Sequence, residues 1–219
     1  MSYLRIEQNS PEWWAYKVGK ISGTRFGQLI SSRENSLIEE LADEIMNRYC
    51  EISDYEDDDI IFGKENESIA IDLYEEKSGL KFERGGVLQS DVCKMHMASP
   101  DAINRDNPNY WIVSEVKCTR HGKTHLKRFL NGIESNYKPQ IINYFAVDPK
   151  INEVHFVSYC PYRPERPLVV YVVNRETPIY DTSRKTETVQ EVCNKTAYFL
   201  SRAETNVTDL IKQFKNIEF

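Results

Sequence analysis

Asp101, Glu115 and Lys117 are the residues whose types and spacing could carry out chemistry. Glu115 and Lys117 follow the apolar, β-branched stretch Trp111–Val113, which predicts a strand in which their side chains share one face. A preceding strand that ends in Ser99–Asp101 would bring the Asp101 carboxylate against Glu115. Two carboxylates beside an ammonium suit Mg²⁺ or Mn²⁺ and phosphodiester hydrolysis, although the same residues could form an ordinary ion pair on an exposed sheet face.

The segments that must position these side chains alternate between helical and strand patterns. Helices are predicted near 10–18, 22–31, 36–50, 62–78, 123–131, 134–146 and 184–214, and strands near 80–88, 93–99, 110–117, 153–160 and 167–174. This order predicts an α/β (α+β) fold with a mixed β-sheet flanked by helices. Ser10 is expected to cap the first helix and Gly79 to end the fourth. The polar stretch 104–109 is expected to form the turn between Asp101 and the Glu115 strand.

Five short blocks of the sequence resemble the lambda exonuclease and YqaJ-type viral recombinase family, which belongs to the PD-(D/E)XK nuclease superfamily. They are Ser10–Trp14 with Lys17–Thr24, Phe62–Glu67, Ser99–Asp101, Glu115–Cys118, and Tyr137–Gln140 with Tyr144. Lys17 stands where the family usually has arginine, and Ala102 replaces a glycine. The resemblance implies one nuclease domain over residues 1–219, with a restriction-endonuclease-like core.

The resemblance also implies a set of catalytic residues. They are Asp101, Glu115, Lys117, Glu67 and Gln140. The metal, Mg²⁺ with Mn²⁺ as a substitute, would be held by Asp101, Glu115, Glu67 and the backbone carbonyl of Val116. Glu67 shares a helical face with Ala70, Ile71 and Tyr74, so its carboxylate is expected to face the sheet rather than solvent. A surface glutamate at position 67 and an ordinary surface amide at position 140 are the alternatives.

A second candidate site lies at the predicted start of the second helix. Helix N-termini with small hydroxyl side chains bind anions readily. The resemblance implies that Lys17, Ser22, Thr24 and Arg25 hold the 5′-phosphate of a DNA end, and a plain capped helix is the alternative. Trp13 and the neighbouring tryptophan are expected to be core anchors rather than platforms for bases.

The overall charge of the chain is unusual for a protein that binds DNA. The net charge is −6 and the pI is about 5.4. A basic segment follows the Glu115 strand, and its expected DNA contacts are Arg120, Lys123, Lys127, Arg128 and Tyr137. A solvated charged helix is the alternative for this segment. The acidic run Asp54–Asp59 is expected to be an exposed loop rather than a metal site.

Composition narrows the classes of function. No apolar run approaches 18 residues, which argues against a membrane span, and the five cysteines include no C-x-x-C pair, which argues against zinc and iron–sulfur sites. Scattered cysteines are typical of reduced thiols, so a cytoplasmic location is expected. The resemblance implies a phage- or virus-encoded or prophage-derived protein.

The resemblance implies a metal-dependent 5′→3′ exodeoxyribonuclease that resects linear double-stranded DNA to leave a 3′ single strand. It also implies a homotrimer and a single-strand annealing protein as partner. A structure-specific or RNA-cleaving endonuclease is an alternative with the same fold. A catalytically silent nucleic-acid-binding recombination scaffold is another.

Overall fold

The computed structural model describes residues 2–31, 34–51, 55–181 and 185–216. The helices are α1 (Pro11–Lys17), α2 (Gly23–Leu29), α3 (Glu34–Asn47), α4 (Asp58–Ser78), α5 (Gly122–Asn131), α6 (Lys138–Val147) and α7 (Val189–Lys215). The strands are β1 (Ser2–Leu4), β2 (Glu83–Arg84), β3 (Val87–Gln89), β4 (Met97–Ala98), β5 (Ala102–Asn107), β6 (Tyr110–Cys118), β7 (Ile151–Tyr159), β8 (Leu168–Asn174), β9 (Pro178–Asp181) and β10 (Thr186–Thr188).

A five-stranded mixed sheet forms the centre of the molecule, in the order β2-β5-β6-β7-β8. β6 and β7 are parallel, with Glu115 opposite Phe156, and the other neighbours in this sheet are antiparallel. Parallel neighbours need a long crossover connection, and here α5 and α6 provide it. The predicted mixed sheet flanked by helices is therefore confirmed.

Helices cover both faces of this sheet. One face belongs to a large core that includes Phe26, Leu41, Tyr144 and Phe156, with contributions from α2, α3, α6 and α7. On the other face Ala70 and Ile71 of α4, with Tyr74 one turn later, pack against residues of β5, β6 and β7. Both faces of β6 are thus shielded from solvent over most of its length, which matches the apolar run Trp111–Val113 in its first half.

A smaller sheet, β1-β3-β4, connects the N-terminal helices to the central layer. Ile21, just before α2, forms a parallel bridge with His96. Its N–H donates to the Met95 carbonyl at 2.6 Å, and its carbonyl accepts from the Met97 N–H at 3.0 Å. These bonds fix the start of α2 close to the chain that leads into Asp101.

The polar stretch before β6 forms a strand rather than the predicted turn. β5 begins at Ala102, directly after Asp101, and pairs antiparallel with β6, so the connection shrinks to Pro108 and Asn109. The prediction of a turn over 104–109 was wrong because asparagine and aspartate favour turns in general. Here Ala102 and the next two residues are buried, and the Asn104 amide donates to the Lys81 carbonyl at 2.7 Å.

The C-terminal helix also starts later than predicted. α7 begins at Val189 with a capping box formed by Thr188 and Glu191, and β9 and β10 form a hairpin before it. The predicted start at residue 184 lies outside the described residues.

The two predicted helix ends are confirmed. The Ser10 hydroxyl accepts a hydrogen bond from the Trp13 N–H at 3.1 Å, and Gly79 ends α4 in the left-handed conformation, with φ of 73°. Across the described ranges, no helix is long and apolar enough to cross a membrane.

Candidate active site

The carboxyl end of β6 carries the two side chains that the sequence placed on one face. Glu115 is fully buried, and its carboxylate forms an ion pair with the Lys117 ammonium. Burial alone would lower the pKa of Lys117, but the carboxylates of Glu115 and Asp101 outweigh that effect and raise it. Lys117 therefore carries a full positive charge at neutral pH.

Asp101 lies against this pair because of one backbone contact. It is the residue just before β5, and its Oδ2 accepts a hydrogen bond from the Val116 N–H at 2.6 Å. Val116 lies between Glu115 and Lys117 in the strand, so this bond fixes the Asp101 carboxylate beside both. The structure brings the three residues together as the sequence indicated.

Two residues of α6 hold the Glu115 carboxylate from the opposite side. The Gln140 side-chain amide donates to Glu115 Oε2 at 2.8 Å, and the Tyr144 hydroxyl donates to the same oxygen. Gln140 is thus in contact with the site and is not a surface amide. No catalytic role was predicted for Tyr144, but its spacing of four residues from Gln140 on one helix face is the signal that could have found it.

Glu67 approaches the cluster from α4. It is partly buried and lines a cleft of about 490 Å³ together with Val116, Lys117 and Tyr137. Burial raises the pKa of Glu67, Lys117 lowers it, and the negative charge of Glu115 raises it further. The alternative of a glutamate on the exposed surface is therefore excluded by its position.

These carboxylates carry more negative charge than the site neutralises. Burial raises the pKa of Asp101 well above its usual value, and the charges of Glu115 and Glu67 raise it further. Three carboxylates share the Lys117 ammonium as their cation. We refer to Glu67, Asp101, Glu115 and Lys117 as the carboxylate cluster.

The donor set of the carboxylate cluster fits a hard divalent cation. Its potential ligands are carboxylate oxygens, which Mg²⁺ and Mn²⁺ prefer, and a divalent cation would offset the excess negative charge. Among the described residues, there is no preformed group of three or more histidine, cysteine, aspartate or glutamate side chains that could hold a metal ion. The Lys117 ammonium and the two α6 donors occupy the oxygens of Glu115 instead.

A small polar pocket lies next to the cluster, at the start of α2. It has a volume of about 130 Å³ and is lined by Trp13, Lys17, Ser22, Gly23, Thr24, Ser99 and Gln140, among others. Gln140 is thus shared between the pocket and the carboxylate cluster. A Cβ on Gly23 would come within 2.9 Å of Gln140 Cγ, so only glycine allows this close approach of α2 to α6.

Lys17 and Ser22 leave polar groups available inside this pocket. The Lys17 ammonium lies 4.6 Å from the centroid of the Trp13 ring and 4.9 Å from that of Trp14, and burial lowers its pKa. The Ser22 hydroxyl is at the N-cap of α2 but makes no capping hydrogen bond. Trp13 is buried, as predicted, and its indole N–H donates to the Ser99 hydroxyl at 3.1 Å.

Arg25 does not join the pocket in which the sequence placed it. Its guanidinium forms ion pairs with Glu44 and, at 2.6 Å, with Glu40. Two carboxylates on α3 therefore draw the side chain away from the start of α2. Ser99 lines the pocket instead, and sequence reasoning assigned it no binding role although it directly precedes the Pro-Asp pair.

The basic segment after β6 divides into buried and exposed residues. Arg128 is buried, with an ion pair to Glu134 at 2.9 Å and a hydrogen bond to the Lys117 carbonyl at 2.9 Å, so it holds β6 against α5 rather than offering its charge to DNA. Arg120 is exposed but forms ion pairs with Asp58 and Asp59.

Three other predicted DNA contacts keep accessible positions. Lys123 and Lys127 are exposed on α5. Tyr137 lines the cleft, with its ring centroid 5.2 Å from the Lys117 ammonium.

Part of the acidic run Asp54–Asp59 belongs to α4 and lies next to Arg120. Asp57 caps α4, and Asp58 and Asp59 form its first turn, so only the residues before them can belong to the predicted loop. Asp54 lies outside the described residues.

A mixed sheet with an aspartate before one strand and a Glu-x-Lys pair at the end of its neighbour defines the class of restriction-endonuclease-like, PD-(D/E)XK folds. The model of the YqaJ-like viral recombinase domain matches residues 12–149. The chain belongs to this family.

Solved structures show the same fold. The crystal structure of an alkaline exonuclease (LHK-Exo) from Laribacter hongkongensis is 20% identical, with a TM-score of 0.73 over 95% of this chain and 100% of that one. LHK-Exo in complex with dAMP is 21% identical over the same shares, with the same TM-score of 0.73. A phage-related exonuclease from Haemophilus somnus is 13% identical, with a TM-score of 0.57 over 89% of this chain and 96% of that one. No curated protein sequence matches at a significant level.

Proposed function

We propose that this protein is a metal-dependent 5′→3′ exodeoxyribonuclease that resects linear double-stranded DNA from 5′-phosphorylated ends. The observation that carries the proposal is the position of Gln140, which contacts Glu115 in the carboxylate cluster and also lines the polar pocket at the start of α2. A cleavage site and an adjacent phosphate-sized pocket are what removal of terminal nucleotides requires. The fold shared with proteins described as exonucleases, one of them bound to dAMP, supports this proposal.

Asp101, Glu115 and Glu67, with the Val116 carbonyl, are the groups that would hold the metal. When bound, Mg²⁺ or Mn²⁺ supplies a water of lowered pKa and polarises a non-bridging phosphate oxygen. The buried carboxylates keep these oxygen donors within one water-poor site, where electrostatic effects are stronger than in bulk water.

Lys117 has a role of its own in this mechanism. Its ammonium stays protonated because two carboxylates adjoin it, so it stabilises the negative charge that develops on the phosphate oxygens in the transition state. Gln140 and Tyr144 keep the Glu115 carboxylate in a fixed orientation through hydrogen bonds to one of its oxygens. The other oxygen faces Lys117.

The direction of cleavage depends on the polar pocket. Lys17 supplies a cation, and the hydroxyls of Ser22 and Thr24 supply donors for a terminal phosphate. A 5′-phosphate held there would set the neighbouring phosphodiester at the carboxylate cluster. Binding in this pocket, rather than sequence-specific base contacts, would select DNA ends.

Assembly and location complete the proposal. We propose a homotrimer, in which exposed Lys123 and Lys127 of three subunits would surround one DNA, and this would reconcile DNA binding with a net charge of −6. A single-strand annealing protein would take over the 3′ strand inside the host cytoplasm. A light-scattering mass of a monomer, at concentrations where the enzyme is active, would contradict the trimer.

The decisive experiment compares two duplexes that differ only at the 5′ terminus. The duplex with a 5′-phosphate is expected to be degraded about ten- to a hundredfold faster than the duplex with a 5′-hydroxyl, because a charge-assisted contact of about 1.5–3 kcal/mol is lost. Lys17→Ala should shrink this preference. Rates are measured from end-labelled products in Mg²⁺, and a covalently closed circular duplex should survive.

Lys77→Ala is the matched control, since it removes an exposed lysine at the end of α4, away from the pocket. It should leave the preference unchanged. Equal rates on both duplexes, or rapid cutting of the circle, would contradict end-directed resection and favour an endonuclease.

A further inference from the structure

A pair of stacked aromatic rings, one of them largely exposed, lies outside every site described above. The rings of Phe62 and Tyr162 have centroids 6.2 Å apart and an angle of 27° between their planes. Tyr162 is 64% exposed, so most of its ring is open to solvent, whereas Phe62 is half-buried. Large aromatic side chains in a water-soluble fold usually bury more of their area, which makes this pair a candidate contact surface.

The pair lies at the edge of the sheet that carries the carboxylate cluster. Phe62 is on α4, five residues before Glu67, and the next two residues, Gly63 and Lys64, line the 490 Å³ cleft. Tyr162 follows β7, which runs parallel to β6, so the chain leaves both strands at the same edge. The Thr119 N–H donates to the Tyr159 carbonyl at 2.9 Å, and this hydrogen bond links the segments that follow β6 and β7.

The segment that carries Tyr162 is constrained. Three prolines, at positions 161, 164 and 167, restrict its backbone. The Cys160 N–H donates to the Pro167 carbonyl at 2.9 Å, and the Arg163 N–H donates to the Cys160 carbonyl at 3.2 Å. The backbone that carries the ring is therefore held in place, so a ligand that stacks on the ring would not have to order the loop first.

Positive charge lies next to the rings. A Cβ on Gly122 would come within 2.6 Å of Arg163 Nε, which places this exposed guanidinium at the start of α5, beside Tyr162. Lys64 contributes a second cation on the Phe62 side, although it pairs with Glu56. Aromatic faces flanked by cations are the surface chemistry that binds single-stranded nucleic acid.

We propose that Phe62 and Tyr162 form a stacking platform for one unpaired nucleobase of the DNA that enters the cleft. The proposal rests on the nuclease function proposed above and adds a contact for a base where the other sites bind phosphate. Every base has an aromatic face, so the platform accepts any sequence, as an exonuclease requires. It would hold the DNA end in an unpaired state beside the carboxylate cluster.

The test is carried out with full-length protein that carries Asp101→Asn, so that the DNA stays intact. The probe is a duplex whose end has three unpaired nucleotides with 2-aminopurine among them, and both fluorescence and Kd are measured in Mg²⁺. Tyr162→Ala should weaken binding at least about fivefold, the low end for loss of one base–aromatic stack, and should remove the fluorescence change. Tyr162→Phe should retain both, whereas Tyr162→Leu should not.

Tyr198→Ala is the matched control. Tyr198 is 65% exposed on α7 and also contacts a second aromatic ring, Phe199, at 5.8 Å, but it does not lie at the catalytic edge. It should bind the probe as the parent protein does. Equal losses in Tyr198→Ala and Tyr162→Ala, or full binding by Tyr162→Leu, would overturn the platform.

Two further measurements distinguish the stacking platform from a contact between copies of the chain and from a failure of the proposed function. A change in the oligomeric mass of Tyr162→Ala would overturn the proposal, because the rings would then belong to a contact between copies of the chain. Cleavage of end-labelled duplex by wild-type protein is measured separately. If wild-type protein cuts the DNA but Tyr162→Ala loses no affinity, the platform fails and the proposed function stands, whereas absence of cutting refutes the nuclease function itself.

Discussion

The sequence assigned both the carboxylate cluster and the basic segment 120–128 to DNA chemistry. In the folded protein the charges of the cluster are unbalanced, whereas the two arginines of the basic segment have acidic partners. In the cluster, three carboxylates share the Lys117 ammonium, and burial and mutual repulsion raise the pKa values of Asp101 and Glu67. In the basic segment, the buried Arg128 pairs with the half-buried Glu134.

At the surface of the same segment, Arg120 pairs with Asp58 and Asp59. These cations are already matched by acids of the same chain. A buried excess of one charge is costly to the folded state and indicates a bound ion or substrate, whereas matched charges are explained by the fold alone. A run of basic residues therefore identifies a DNA-binding surface only after its acidic neighbours are known.

The largest expected effect is on catalysis. Asp101→Ala and Lys117→Ala should each lower the rate of duplex degradation by about 10²–10³-fold, because one preorganised charge is lost, and EDTA should abolish activity. Lys77→Ala, which removes an exposed lysine at the end of α4, is the control and should leave the rate unchanged. Initial rates on end-labelled duplex are the measurement, and near-wild-type activity of either variant would remove the proposed site.

The same cluster should oppose folding when no metal is present. Asp101→Asn keeps an oxygen for the Val116 N–H but removes one of the crowded negative charges. We expect a higher Tm than wild type in EDTA, by a few degrees, despite the loss of activity. A lower Tm would mean that the cluster is not over-charged and would weaken the contrast with the basic segment.

The second effect is on stability, and it distinguishes the contribution of Arg128 from that of Arg120. Arg128→Ala should lower the free energy of unfolding by about 2–3 kcal/mol, because the loss of this buried side chain leaves the Lys117 carbonyl and the half-buried Glu134 carboxylate without their donor. Arg120→Ala should leave it nearly unchanged, because Arg120 and its partners Asp58 and Asp59 are exposed. Urea unfolding of both variants is the measurement. Similar values for the two would show that the buried pairing is not the stronger one.

The third effect concerns pH and tests a buried group outside both regions. Burial lowers the pKa of His96 to about 4, while the unfolded chain binds the same proton near 6.5. The unfolded state is therefore favoured as the pH falls from about 6.5 to about 4, and the free energy of unfolding should drop by about 3 kcal/mol over that range. Urea unfolding at several pH values measures it.

His96→Gln should flatten this dependence, whatever its effect on stability at neutral pH. An unchanged slope in this variant would assign the acid sensitivity elsewhere. The carboxylate cluster cannot supply it, because carboxyl groups with raised pKa values gain protons on folding and become less destabilising as the pH falls.

The smallest effect tests whether the acidic start of α4 limits DNA binding. Asp59 forms an ion pair with Arg120 at 2.7 Å. Asp59→Asn should free part of that charge and strengthen DNA binding about two- to fivefold at low salt, with a steeper dependence on salt concentration. Asp72→Asn is the control, since it removes an exposed carboxylate farther along α4. Weaker binding by Asp59→Asn would show that Asp59 does not compete with DNA.

The sequence predicted well those features that depend on local rules. The alternation of side chains in β6 placed Glu115 and Lys117 together, and the caps at Ser10 and Gly79 followed from the residue types at the ends of α1 and α4. The face of α4 that carries Glu67 also followed from helical periodicity.

The sequence failed where distant residues decide the outcome. Glu40 and Glu44 of α3 determine where Arg25 points, and no local pattern connects them. The polar strand β5 is stabilised by pairing with β6, which outweighs the turn preference of its asparagines. Ser99 entered the site only because α1 and α2 pack against the chain before Asp101.

The parallel pairing of β6 with β7 has a consequence for the order in which the protein is made. A chain leaving the ribosome exposes Glu67, Asp101, Glu115 and Lys117 long before β7 is complete at Tyr159. Until then β6 lacks its hydrogen-bonded partner on one side, and the crossover helix that carries Gln140 has no second strand to fold back onto. Until β7 pairs with β6, the polypeptide therefore holds all four charged groups without the arrangement that the folded protein gives them.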